Sequence, residues 1–211
     1  MLLFRTPASP FVRKVVVTIL ELGLRDKVQE FSTRWPHSWG TRTVDFAPEF
    51  AAATPVGRIP ALVTDDGMRL TDSQVICEYL NAEYGNYRLL PKEGAARWKA
   101  MEFVTIANAT LEAQILRRAE TLRQGAEKSD DFIEKMQQRG LRCLAAMDAM
   151  VDRFSSDVDL MQICAGAACG FVDWRYGHDN WRSVAPRLGE WYEGFRQRPS
   201  MRETEPAETP Q

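Results

Sequence analysis

Residues 57–73 read G-R-I-P-A-L-V-T-D-D-G-M-R-L-T-D-S, and this stretch decides the fold. Because proline cannot donate a backbone hydrogen bond to a sheet, Pro60 belongs at the start of a strand or in an edge strand, here the strand predicted over 61–64, which begins with the apolar run 61–63. The D-D-G turn and a second short strand over 68–70 complete a predicted hairpin, and a helix is expected over 72–84. The peptide bond between Ile59 and Pro60 is a candidate for the cis form.

A bend before an edge strand would leave the backbone N–H and C=O groups of Ile59 available to a ligand. The helix that starts at Asp72 and Ser73 adds a carboxylate, a hydroxyl and exposed backbone N–H groups nearby. This combination predicts a small site for an extended peptide with a charged end.

Working outward, the hydrophobic pattern predicts an α/β domain over residues 1–84. Strands are expected over 2–5 and 28–31, with a helix from Phe11 to Leu22 between them and a short helix over 44–53. The resulting order β-α-β-α-β-β-α is typical of a thioredoxin-like domain with a parallel first strand pair. A linker rich in glycine, asparagine and proline follows over 85–94.

Residues 95–200 are predicted to form an all-helical domain. Apolar residues recur at 3-4 spacing over 101–115 and again over 132–154, and a last helix is expected over 186–196. The segment 160–172 is apolar almost all round, which predicts a buried central helix, capped by Asp159 and Gln162 in a variant capping box. The polar, proline-bearing residues 201–211 are predicted to form a frayed tail.

Composition excludes several classes of function. The formal charge of −2 over 211 residues gives no push towards nucleic acid or an anionic membrane. The longest apolar run, 163–172, is far shorter than the ~20 residues of a membrane-spanning helix. The four cysteines form no C-x-x-C pattern and are expected to be buried free thiols in a reducing compartment, so a cytoplasmic location is predicted. No metal-ligand cluster is recognised, and His37 and His178 are interpreted as surface or loop residues.

Three motifs resemble the glutathione S-transferase family. They are S-P-F-V-R-K-V at 9–15, V-G-R-I-P-A-L at 56–62 and T-D-S-Q-V-I-C-E-Y-L at 71–80. Their order and spacing are similar to those of a bacterial, serine-type, full-length member with two domains. The resemblance implies a thioredoxin-like N-terminal domain, an all-α C-terminal domain, glutathione as co-substrate, no metal, and a homodimer.

By this resemblance Ser9 is the catalytic residue. Redox relatives carry C-P-[FY]-C where this chain has S-P-F-V, so dithiol exchange is disfavoured. A hydroxyl can instead donate a hydrogen bond to the bound thiolate, worth roughly 1.5–3 kcal/mol, which lowers a thiol pKa of about 8.5 by about one to two units. The helix N-terminus acts in the same direction. The alternative is a plain N-cap, and Thr6 is the nearest substitute donor.

The same resemblance assigns the tripeptide contacts. Asp72 is expected to pair with the α-ammonium and Ser73 with the γ-glutamyl carboxylate, while the Ile59 backbone, held by Pro60, pairs with the cysteinyl backbone. Arg58 is a candidate for the glycyl carboxylate. Arg34 is a second candidate. The alternatives are a capping box formed by Thr71 and Gln74, with Asp72 complementing the helix dipole, and arginines that are merely solvated.

The second substrate is expected against the helical half. Candidate lining residues are Phe11, Trp35, Trp39, Asn108, Leu111 and Glu112, although an aromatic side chain belongs to a core more often than to a pocket. The predicted activity is attack of the glutathione thiolate on an apolar small electrophile, as in detoxification. The alternatives are a glutathione-dependent isomerase, dehalogenase, reductive lyase or peroxidase on the same scaffold, and a non-catalytic regulatory protein that binds glutathione.

Overall fold

The computed structural model describes residues 1–33, 47–123 and 125–208, with the backbone alone for residue 126. The chain divides into two compact units. The first comprises Met1–Lys92 and Pro199–Gln211, and the second comprises Glu93–Arg198. The chain therefore leaves the first unit, forms the second, and returns to the first at its C-terminal end.

The first unit combines a sheet with helices in the predicted order. Its elements are β1 (Leu2–Arg5), α1 (Pro10–Glu21), β2 (Gln29–Ser32), α2 (Pro48–Ala53), β3 (Ala61–Val63), β4 (Arg69–Leu70) and α3 (Ser73–Glu83). The order β-α-β-α-β-β-α confirms the predicted thioredoxin-like arrangement. The predicted helix over 44–53 is present from Pro48, and residues 44–46 lie outside the described residues.

The four strands lie in the order β2-β1-β3-β4. β1 is parallel to β2, as predicted, and antiparallel to β3, while β3 and β4 form the predicted hairpin. Because β3 lies inside the sheet, the prediction of an edge strand after Pro60 is wrong. The missing N–H of Pro60 is tolerated since this residue stands just before the first paired residue of β3.

An aromatic cluster fills the first unit on one side of the sheet. The ring of Phe4 on β1 lies 5.1 Å from that of Phe31 and 5.6 Å from that of Phe50, between centroids. Phe4 and Phe50 are buried, and the partly buried side chain of Ile59 packs against the same cluster. The core therefore anchors the residue that precedes the Pro60 bend.

The second unit is helical in its described residues, as predicted. Its helices are α4 (Gly94–Thr121), α5 (Asp130–Asp148), α6 (Leu160–Tyr176) and α7 (Pro186–Phe195). α6 is buried along most of its length and opens with the predicted capping box. Gln162 N–H donates to the Asp159 carboxylate at 2.9 Å, and Asp159 N–H donates to the Gln162 amide oxygen at 3.0 Å.

The structure corrects the predicted extent of α5. This helix ends at Asp148, so Val151 and Phe154 lie beyond it, Val151 in a 3-10 turn. Phe154 packs instead against the rings of Phe103 and Trp191, at centroid distances of 5.2 and 4.6 Å. The apolar spacing beyond Asp148 therefore reflects core packing rather than a continued helix.

Residues 209–211 lie outside the described residues, but the first residues of the tail predicted over 201–211 are helical rather than frayed. They belong to a further helix, α8 (Pro199–Glu203), with Met201 fully buried. The side chain of Arg13 on α1 donates to the Met201 carbonyl at 2.9 Å and to the Thr204 hydroxyl at 3.3 Å. A buried arginine that needs acceptors, and a methionine that needs cover, hold this short helix to the first unit.

None of the four cysteines, all of which lie in described ranges, forms a disulfide. Cys77, Cys164 and Cys169 are buried, as predicted, whereas Cys143 is half-buried. In the described part of the chain, no helix is both long enough and apolar enough to cross a bilayer.

Candidate functional site

The strand register brings the three motifs of the first unit to one edge of the sheet. Phe4 near the end of β1 lies opposite Ala61 at the start of β3, so the segment after β1 and the segment before β3 share this edge. Leu70 at the end of β4 lies opposite Leu62, so the residues after β4 reach the same edge. Ser9, Ile59 and Asp72 therefore extend from neighbouring strand ends.

The two helices that begin at this edge run in the same direction. On α1, Lys14 Nζ lies 3.5 Å from the Gln74 amide oxygen of α3, and the Thr18 hydroxyl lies 3.3 Å from the Cys77 sulfur. Since both contacts advance along both helices, the N-termini of α1 and α3 lie at the same end. The positive ends of two helix dipoles thus lie at the same end of the sheet.

Ser9 is the N-cap of α1. The residue is half-buried, its hydroxyl oxygen accepts from the Val12 N–H at 3.3 Å, and Pro10 occupies the first helical position. Among the described residues, the Ser9 hydroxyl proton has no acceptor. A hydroxyl that accepts a backbone hydrogen bond becomes a better donor, so the capping role and a donor role reinforce one another.

Asp72 is the N-cap of α3. Its Oδ1 accepts from the Gln74 N–H at 2.8 Å and from the Val75 N–H at 3.3 Å. The alternative of a capping box between Thr71 and Gln74 is therefore wrong, because β4 ends at Leu70 and the helical turn begins one residue later than that box requires. Asp72 is exposed, and Oδ2 has no partner within the described ranges.

Ser73 is the first residue of α3. It is 3% exposed, and in the part of the chain that the structure describes its hydroxyl has no hydrogen-bond partner. Together with the backbone N–H groups of the first turn, this hydroxyl can donate to an anion. The carboxylate of Asp72 and the hydroxyl of Ser73 thus offer an acceptor and a donor side by side.

The peptide bond between Ile59 and Pro60 is cis, as the sequence suggested, and the bond between Thr71 and Asp72 is cis as well. The backbone of Ile59 makes no hydrogen bond to any other described residue. Since its side chain is anchored in the aromatic cluster, this backbone presents a fixed donor and acceptor. Arg58 is exposed and has no ion-pair partner among the residues described.

The candidates for a second-substrate pocket fare unevenly. Leu111 is fully buried on α4, so it belongs to the core of the second unit and the lining role predicted for it is wrong. Glu112 is exposed and forms an ion pair with Arg139 at 2.8 Å. Phe11 and Asn108 are both half-buried. Arg34, Trp35 and Trp39 lie outside the described residues.

Sequence reasoning missed Lys14. This residue is 0% exposed although its side chain is basic. The available signal was a basic pair inside an otherwise apolar helix. In the ranges described, no group of three or more histidine, cysteine or acidic side chains is arranged to hold a metal ion.

Comparison with known proteins gives matches to the sheet unit and to the whole chain. A family model for the glutathione S-transferase N-terminal domain matches residues 8–83. A glutathione transferase family member from Pseudomonas fluorescens Pf-5, solved with bound glutathione, is 31% identical and superposes with a TM-score of 0.89 over 98% of this chain and 99% of its own. A second structure of a family member from this organism, with bound S-(propanoic acid)-glutathione, is 32% identical and superposes with a TM-score of 0.84 over 99% of this chain and 100% of its own.

Two further relatives are more distant. A glutathione S-transferase from Methylobacillus flagellatus KT, solved with glutathione, is 26% identical with a TM-score of 0.82, over 98% of this chain and 99% of its own. The GST-like protein YibF of Escherichia coli K12 is 26% identical over 201 residues, which cover 94% of this chain and 95% of YibF. These similarities extend through both units.

Proposed function

Because this chain belongs to the glutathione transferase family, we propose that it binds glutathione at the sheet edge of the first unit and catalyses attack of the glutathione sulfur on a small, apolar electrophile. The family membership supports glutathione as the ligand. The convergence of Ser9, Ile59 and Asp72 at one edge is the observation that carries the assignment of the site.

In this proposal the chain holds glutathione at three points. The Asp72 carboxylate takes the α-ammonium through Oδ2, while the Ser73 hydroxyl and the α3 N-terminus take the γ-glutamyl carboxylate. The Ile59 backbone pairs with the cysteinyl backbone as an added strand would. The exposed side chain of Arg58 pairs with the glycyl carboxylate, and Arg34, which lies outside the described residues, remains a second candidate.

Chemistry then depends on the thiol proton. The Ser9 hydroxyl donates a hydrogen bond to the sulfur, and the N-terminus of α1 adds a favourable field. Both stabilise the thiolate, so the thiol loses its proton to solvent near neutral pH. The sulfur lone pair forms a bond to the electrophilic carbon, and the displaced electron pair leaves with the leaving group or enters a conjugated acceptor. The chain supplies electrostatic stabilisation and positioning, while the nucleophile belongs to the bound tripeptide.

The test is a titration of bound glutathione by ultraviolet thiolate absorbance. We expect a pKa about one to two units below the free value of about 8.5 in the original chain. Ser9→Ala should return it towards the free value, because the donor is lost. Ser9→Thr is the matched control, since threonine keeps both the hydroxyl and the cap.

Each outcome discriminates. An unshifted pKa in the original chain, with glutathione bound, would favour a non-catalytic binding protein. A shift that survives Ser9→Ala and disappears in Thr6→Ala would move the donor role to Thr6.

A homodimer, a cytoplasmic location and a role in detoxification are parts of the same proposal. Sedimentation analysis of the full chain tests the dimer.

A further inference from the structure

A second concave site lies wholly within the second unit. A pocket of about 310 Å³ forms where the C-terminal turns of α4 and α6 meet the start of α5. Basic side chains dominate its lining, which includes Arg117, Arg118, Lys128, Arg175 and His178 and one carboxylate, that of Asp130. We call this the basic pocket. It shares no residue with the proposed glutathione site.

One wall of the basic pocket is rigid. The guanidinium of Arg117 forms a bidentate ion pair with Asp179, and the two side chains are only 7% and 2% exposed. The Gln137 amide also donates to Asp179 at 2.7 Å, and the Arg117 guanidinium lies 4.0 Å from the centroid of the Tyr176 ring. The charge of Arg117 is therefore matched, and its position is fixed.

The charge of Arg118 is not matched in this way. Arg118 is half-buried, yet within the described ranges it has no anionic partner. Lys128 has only a surface contact with Asp130, at 3.5 Å, and the Asp130 side chain is 89% exposed, so this pair contributes little. The whole chain carries a formal charge of −2, so the excess of positive charge here is local.

The phenol of Tyr176 reports how close these cations stand. Burial raises its pKa overall, while Arg117, Arg118 and Arg175 each act to lower it. Three guanidinium groups therefore act on one buried ring at the wall of the basic pocket. Asp179 matches the charge of Arg117 and opposes these groups at the phenol, so the unmatched charge that a bound anion would neutralise is that of Arg118.

We propose that the basic pocket binds the phosphate group of a small phosphorylated molecule. Arg118 and Lys128 approach from two different segments, and their donors suit an anion that accepts from several directions. The ring of Tyr176 and the side chain of Ile133 also line the pocket and offer an apolar surface to the organic part of the ligand. The ligand class is thus a phosphate monoester with a compact organic group.

The experiment is calorimetric titration of the full chain at low salt with inorganic phosphate, phenyl phosphate and succinate. Saturable binding of both phosphates is expected, with phenyl phosphate the tighter of the two. Arg118→Gln should weaken phosphate binding about tenfold, because a hydrogen bond to a charged group is lost. Arg123→Gln is the matched control, since Arg123 carries the same charge beyond the end of α4 and does not line the pocket. The phosphate affinity of Arg123→Gln should stay within about twofold of that of the original chain.

Two more variants protect the test against misfolding. Arg118→Lys keeps the charge and should keep most of the affinity. Lys128→Gln changes an exposed side chain and should weaken phosphate binding about threefold without affecting the fold. Absence of saturable phosphate binding would overturn the proposal, as would equal losses in Arg118→Gln and Arg123→Gln. Succinate binding as tight as phosphate would reassign the pocket to dicarboxylates. None of these readouts depends on glutathione.

Discussion

Asp72 has two tasks that fall on different oxygens of one carboxylate. Oδ1 accepts from two backbone N–H groups at the start of α3, and Oδ2 is left for the proposed ammonium contact. Capping requires an acceptor but no charge, whereas holding an ammonium requires the charge. The two roles can therefore be separated by substitution.

We expect Asp72→Asn to weaken glutathione binding about tenfold or more while leaving the stability of the free chain nearly unchanged. Asparagine is as good an N-cap as aspartate, but it has no charge for the α-ammonium. Calorimetric titration with glutathione and thermal melting measure the two effects. Asp72→Ala is the comparison, since it should lose both affinity and about 1 kcal/mol of stability. Equal affinity in the original chain and Asp72→Asn would remove Asp72 from the ligand site.

At the scale of elements, local rules predicted most of the first unit and the cap of α6. Pro60 and the D-D-G turn placed the hairpin, and Asp159 with Gln162 placed the start of α6, because each of these signals acts within a few residues. The features that the sequence did not predict depend on contacts between residues far apart in the chain. The burial of Leu111 and Lys14, and the position of β3 inside the sheet, are set by neighbouring elements rather than by the local pattern.

The site divides in the same way. Its residues were predicted from the resemblance of the motifs. The sequence could not indicate that Asp72 rather than Thr71 caps α3, since both residue types cap helices well. The length of β4 decides between them. Similarly, nothing in the spacing of residues 117, 118, 128 and 175 indicated the basic pocket, because three separate segments assemble it.

The cap of α6 provides a prediction for one element. Asp159→Ala should destabilise the chain by about 1–2 kcal/mol, because the first turn of a buried helix loses its acceptor. The melting temperature should fall by roughly 2–8 °C in a chain of this size. Thermal melting checks this. Asp159→Asn, which keeps an acceptor, should cost much less, and an equal loss in the two variants would contradict the capping role.

The Asp159 carboxyl group also makes the free energy of unfolding depend on pH. Burial raises the pKa of Asp159 from its ordinary value of 3.8. In the window between the ordinary and the raised pKa, the folded state binds more protons than the unfolded state, so this group's stabilising contribution is full below 3.8 and is lost as pH rises. The free energy of unfolding of the original chain, relative to Asp159→Asn, should therefore decrease from low pH towards neutral pH. Denaturant titrations of both chains across that range measure the difference, and an increase would contradict the direction.

At the scale of the whole molecule, the chain closes on the unit in which it began. α8 follows the second unit in sequence but packs in the first, where Arg13 on α1 donates to it. The Ser200 hydroxyl also donates to the Glu21 carboxylate, and Arg25 pairs with Glu203. Because Arg13 lies on the helix that Ser9 caps, these contacts bear on the element that carries the proposed donor.

Truncation after Arg198 should therefore destabilise the chain by about 3 kcal/mol or more. The deletion uncovers the site of the buried Met201 and leaves the Arg13 guanidinium without two of its acceptors. Truncation after Glu205 is the control, since it keeps α8 and every one of these contacts, and its melting temperature should stay close to that of the full chain. If the two truncated chains melt together, α8 contributes nothing to the first unit. If only the shorter chain melts early, its bound glutathione pKa should also move towards the free value, because α1 is then less firmly held.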